Sequence, residues 1–143
     1  MPHWSFMTVI RVKSVAEFRG EDVVLVAADS AGLAAFAEAL ALAQRIGLSH
    51  LTHGRRVHEF IIQAGAAAIE LSDERVVWRL DDAKANEILD KAQVLTSSGG
   101  RAGHHYVDDM SSPASTLVLS VDEYLEPSWL TAGKEPIFGD DDP

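Results

Sequence analysis

The chain has 143 residues, 47% of them hydrophobic, and no cysteine. That length supports one domain with its own core, and the lack of cysteine excludes disulfides, thiolate metal sites and a cysteine nucleophile. Twenty-two acidic against twelve basic side chains leave a net charge of −10, which repels phosphate backbones and anionic lipid but speeds encounter with a basic protein.

Thr8 to Lys13 alternates apolar and polar residues, as a half-buried strand does. Arg19-Gly20-Glu21-Asp22 reads as a turn. The continuous apolar run Val23 to Ala28 reads as a strand buried on both faces. Asp29-Ser30 offers an N-cap for a helix that runs to about Arg45 and stops at Gly47. Leu33, Phe36, Ala37, Leu40 and Ala43 form its apolar stripe, and most of the remainder is alanine. So apolar a helix is covered on more than one side or lies at an oligomer contact; internal packing is the expected explanation, and a homodimer through Ala31–Arg45 the alternative.

Residues 48–56 are expected to be a loop, and Val57 to Gln63 a strand. Ala64-Gly65 interrupts, Ala66 to Leu71 resumes, and Ser72-Asp73-Glu74-Arg75 turns the chain into Val76 to Leu80. Asp81-Asp82 caps a second helix to about Leu95, with Ala85, Ile88, Leu89, Ala92 and Leu95 inward and Glu87 and Lys91 in the favourable i, i+4 order. A Ser/Gly loop leads to a short strand from His104 to Asp108, a turn containing Pro113, and a last strand from Thr116 to Val121. The two halves echo each other as strand, capped helix, loop and histidine (His50, His104), which reads as the usual way of capping a helix that follows a strand rather than as an old duplication. The expectation is an α+β fold: a mostly antiparallel sheet with two helices packed on one face. The single domain spans residues 8–124, between a loose arm (1–7) and an irregular acidic tail (125–143).

Chemistry-bearing side chains concentrate in Gly103-His104-His105-Tyr106-Val107-Asp108-Asp109. Zinc or iron accepts imidazole and carboxylate donors, so His50, His53, His58, His104, His105, Asp108 and Asp109 form one candidate set. On a strand, however, His104, Tyr106 and Asp108 share one face while His105, Val107 and Asp109 share the other. No HExxH-type signature is present, and loop or edge histidines bonded to backbone or water are the simpler reading. Ser111, Ser112 and Ser115 supply hydroxyls but sit in no G-x-S-x-G elbow. Ser97-Ser98-Gly99-Gly100-Arg101-Ala102-Gly103 leads from helix to strand, the reverse of a phosphate loop. No cofactor, metal or catalytic residue is therefore assigned. The remaining readings are a partner-binding face of His104, Tyr106, Asp108 and Asp109, with Asp122, Glu123 and Tyr124 nearby in sequence, because tyrosine anchors and acidic rims suit a basic protein, or a plain solvated sheet face.

Val23 to Ala43, with its Gly32-Leu33-containing helix, followed by Gly103 to Asp109 and Leu117-Val118-Leu119, resembles small immunity proteins of bacterial polymorphic toxin systems. The resemblance covers about a third of the chain, and residues 57–97 have no counterpart in it. It implies a non-enzymatic module that neutralises a partner protein. The alternatives are a metal-dependent enzyme built around His104 to Asp109 and a homo-oligomeric structural protein. No apolar run is long enough to span a bilayer, and Met1-Pro2-His3-Trp4-Ser5-Phe6-Met7 lacks the regions of a secretion signal. A cytoplasmic location and no membrane partner are expected.

Overall fold

Val23 to Ala28 needs a partner strand on each side, and the hairpin before it supplies the first. In the computed structural model, which describes residues 9–97 and 102–123, β1 (Ile10–Phe18) pairs antiparallel with β2 (Glu21–Ala28). Arg19 and Gly20 both take positive φ, 50° and 92°, the geometry of a two-residue hairpin turn whose twist matches that of its strands. β1 extends five residues past the expected Lys13 because a register shift between Val15 and Phe18, with Glu17 at φ 56°, breaks the alternation. An extra residue of this kind bends the strand and hides its period.

The chain continues through α1 (Ser30–Ile46), β3 (Leu48–His53), β4 (Arg56–Ile62), β5 (Ala67–Leu71), β6 (Arg75–Leu80), α2 (Asp82–Thr96), β7 (Gly103–Val107) and β8 (Thr116–Val121). Asp29 caps α1 by accepting from the Gly32 amide, and Asp81 caps α2 by accepting from the Lys84 amide. Gly47 ends α1 at φ 95°, where its amide reaches the Ala43 carbonyl, a conformation that only glycine adopts freely. The expected loop after it is instead β3, so His50 and His53 stand on a strand. The expected arm 1–7, the tail 125–143 and the centre of the Ser/Gly loop lie outside the described residues.

The strands divide into two four-stranded sheets, β1-β2-β8-β7 and β3-β4-β6-β5, here called A and B. The α+β reading, with mostly antiparallel strands and two helices in one domain, is borne out: four of the six strand pairings are antiparallel, and only β2–β8 and β4–β6 are parallel.

The order of strands also shows that the internal echo is more than a capping habit. β1-β2-α1-β3-β4 and β5-β6-α2-β7-β8 are the same arrangement, and reading sheet A as β1-β2-β8-β7 and sheet B as β5-β6-β4-β3 superimposes their roles. Matching backbone bonds follow. Asp29 N donates to Val9 O as Asp81 N donates to Ala66 O, at 3.1 and 2.7 Å, and Asp122 N donates to Ala28 O as Gln63 N donates to Leu80 O, at 2.7 and 2.8 Å. The strand registers place His50 opposite Glu59 and Tyr106 opposite Val118. His50 therefore corresponds to Tyr106, not to His104, whose counterpart is Leu48.

Each sheet takes two strands from each half, so neither half completes a sheet alone. The inner faces of both sheets and both helices share one core, in which Phe36, Phe60, Trp78, Leu33, Leu119 and Ile88 are fully buried. Sheet A carries a second apolar cluster on its other face, made of Val15, Phe18, Val23, Leu25 and Val118. The outer face of sheet B instead carries ion pairs, Arg75 to Glu59 and Arg79 to Glu70.

Candidate functional site

β7 is an edge strand of sheet A, antiparallel to β8. The alternation expected from the sequence places His104 and Tyr106 on the outer face and buries Val107 in the core. His104 lies opposite Ser120, so Glu123, just past the end of β8, comes alongside it. The Nδ1 of His104 donates to Glu123 Oε1 at 2.8 Å, with both side chains about a quarter exposed, 22% and 25%. The Tyr106 ring meets the His104 ring edge-on, with centroids 5.5 Å apart and an interplanar angle of 79°. Tyr106 also packs against the Val15, Phe18, Val23, Leu25 and Val118 cluster, so its body is anchored and its position fixed.

Asp108 and Asp109 follow at the exposed end of the strand. Asp109 turns away at φ 64°, a left-handed conformation that aspartate tolerates better than most side chains. α2 runs beside this margin. Lys84 Nζ donates to the Asp108 carbonyl at 2.6 Å, and Lys91 Nζ donates to the Tyr106 carbonyl. Two backbone acceptors of the open edge are thus occupied by lysines, which blunts the edge as a template for strand addition. Glu87 sits between them at 2.9 Å from Lys84 and 3.5 Å from Lys91. Burial alone would raise its carboxyl pKa, but the hydrogen bonds and charges of the two lysines outweigh that and lower it. The four sequence-predicted residues therefore share one margin, with His104 and Tyr106 on its outer face and the two aspartates at its tip. Glu123, near them in sequence, is brought beside His104 by the hairpin register.

The histidines do not assemble. His50 is on the outer face of β3, 3.3 Å from Glu59. His58 faces the core at 1% exposure, where its Nδ1 accepts from Trp78 Nε1 at 3.4 Å. Burial, with the charges of Arg56 and His53 adding to it, lowers its pKa from 6.5 to about 4, so it stays neutral near pH 7. His104 and His105 belong to the other sheet. Among the described residues no three histidine, aspartate or glutamate side chains are placed to hold a metal ion.

The serines have structural roles. Ser111 donates to the Ala67 carbonyl from both its amide and its hydroxyl, at 2.8 and 3.0 Å, and the Ser112 carbonyl accepts from Ile69 N at 2.9 Å. The β7–β8 loop thereby caps the open edge of β5, and neither hydroxyl meets a histidine there. Ser97 closes α2 by donating to the Gln93 carbonyl at 2.6 Å; Ser98 to Arg101 lie outside the described residues. The β7 margin thus offers acceptors and an aromatic platform for cationic groups. No helix among the described residues is long and apolar enough to cross a membrane. The chain matches no protein-family model, no curated protein and no solved structure.

Proposed function

We propose that this chain is a non-enzymatic protein-binding module, immunity- or antitoxin-like in manner, that engages a basic partner protein along the β7 margin. One observation carries the reading: His104, Tyr106, Asp108 and Asp109, with Glu123, gather at one sheet margin, flanked on the same face by an apolar cluster and tied along the edge by two lysines of α2. A fixed tyrosine beside an acidic rim provides aromatic contact area and charge complementarity without a nucleophile. The net charge of −10 steers a cationic partner toward the chain and makes its capture salt-dependent.

The experiment is affinity capture from the source cell with the full chain and with Asp108→Lys/Asp109→Lys, followed by titration of the identified partner. A basic protein retained by the native chain, released by salt and lost with the double variant supports the reading. Recovery of nucleic acid alone, of no protein, or of a partner indifferent to the two aspartates overturns it.

A further inference from the structure

We infer that the chain forms a symmetric dimer through the exposed face of α1, a surface separate from the β7 margin. On α2, Asp90 and Gln93 are exposed and polar, Val94 is 56% exposed, and Asn86 accepts from Gln44 of α1. The α1 counterparts of Asp90, Gln93 and Val94 are Glu38, Ala41 and Leu42, so the internal repeat keeps an exposed apolar residue at one place and loses a polar one at Ala41. Ile46 and Leu48 extend the exposed stripe of α1 further.

Leu42, Ile46 and Leu48 are 36%, 68% and 42% exposed, and they account for three of the four exposed large hydrophobic side chains among the described residues. A groove of about 510 Å³ runs beside Leu42 between α1 and β3, lined also by Ala35, Ala39, His50 and Leu51. Exposed apolar side chains gathered at one place mark a contact surface, whereas scattered ones do not.

A second copy is the occupant that the charges fit. Glu38 and Arg45 flank the groove, and among the described residues neither makes an ion pair. They are seven residues apart, two helical turns or about 10 Å along one face. An antiparallel α1–α1 contact with its two-fold axis between Ala41 and Leu42 sets each Glu38 against the other copy's Arg45. It also lays each Leu42 on the other's Ala41. The alanines allow close backbone approach. The patch is locally neutral, so the overall negative charge, which opposes self-association, is least felt here. An isologous contact of this kind closes on itself and does not propagate.

Sedimentation equilibrium of the full chain tests this. A species of twice the 15.5 kDa chain mass is expected. Glu38→Arg and Arg45→Glu, each of which puts two like-charged pairs across the axis, should each weaken association about tenfold. The double swap should restore it, and Leu42→Glu should give a monomer that keeps the native far-UV circular dichroism and a cooperative melt no longer dependent on concentration. A monomer at the highest soluble concentration overturns the inference. So does a dimer in which the double swap is no tighter than the single variants.

Discussion

The two inner faces of the molecule have the same backbone plan and opposite fillings. In sheet B, Phe60 lies opposite Trp78 in the parallel pair, and Phe36 of α1 meets both rings edge-on at 5.3 and 5.1 Å. At the matching places around sheet A stand Leu119, Val26 and Ile88, with Leu119 opposite Val26. One arrangement of strands and helices is thus packed with rings on one side and aliphatic side chains on the other. The aromatic side brings a polar requirement with it. A buried indole N–H needs an acceptor, and His58 provides one where sheet A has Leu117. The two halves thus share hydrogen bonding and register, while each solves its packing separately.

The largest expected effect breaks the aromatic side. Trp78→Val installs the residue of the matching position in sheet A and leaves a cavity among Phe36, Phe60 and His58. A loss of about 3–5 kcal/mol is expected from urea unfolding, against about 2 kcal/mol for Val26→Ala across the molecule. Equal losses at the two sites would mean that the fillings are energetically alike and that the contrast is only one of shape.

The next effect is set by pH. His58 is held neutral in the fold, with its pKa lowered to about 4 from 6.5. The unfolded chain therefore binds this proton first. The contribution is intact above pH 6.5 and is lost progressively as pH falls toward 4, amounting to roughly 3 kcal/mol by linkage. His58→Leu, which copies Leu117, should flatten unfolding free energy across that window. It should also cost about 1–2 kcal/mol at neutral pH, because the Trp78 N–H loses its acceptor. An unchanged slope would assign the acid sensitivity to other groups.

A third difference lies where the helices begin. Gly32 of α1 corresponds to Lys84 of α2. A Cβ on Gly32 would stand 2.1 Å from the Val9 carbonyl and 2.9 Å from both Asp29 Oδ1 and Ile10 Cγ1, whereas α2 carries a full lysine side chain at its matching place. Gly32→Ala should cost about 1–3 kcal/mol through forced displacement of backbone. An alanine that is neutral in thermal melts would show that α1 can shift outward as freely as α2.

How much of this was legible follows the same contrast. The caps Asp29 and Asp81, the apolar stripes of both helices and the strands around Val76 and Thr116 were readable because local chemistry and period agree there. β3 was missed because Leu48–His53 buries Ser49 and turns Leu48, His50 and Thr52 outward, so its alternation does not separate apolar from polar. The far half of β1 was hidden by its bulge. The repeat stayed a faint echo because Trp78 replaces Val26 and His58 replaces Leu117, and residue similarity cannot survive such substitutions even where hydrogen bonding does. At the candidate site, the split between His104/Tyr106 and His105/Val107 was legible from strand alternation. The role of Lys84 and Lys91 was not, since it depends on how α2 lies over the β7 edge.

The smallest expected effect concerns the outer faces, where the two sheets also disagree. Glu59 of sheet B pairs with Arg75 at 2.9 Å and with His50 at 3.3 Å. Its counterpart in sheet A is Val118, fully buried in the outer cluster. The Arg75 and His50 side chains are more than half exposed, at 56% and 53%, so water already solvates them and the pairs contribute about 1 kcal/mol at most. Glu59→Val should therefore change stability by less than about 1 kcal/mol, since a β-branched residue suits a strand and recovers part of the loss. The native chain should lose its small advantage on going from about 0.1 to 1 M salt while the variant does not respond, because added ions screen exposed pairs. A loss above about 2 kcal/mol that persists in high salt would show that the ionic face of sheet B is structural in the way that the apolar face of sheet A is. The two halves would then differ in the means of holding their outer faces and not in how firmly they hold them.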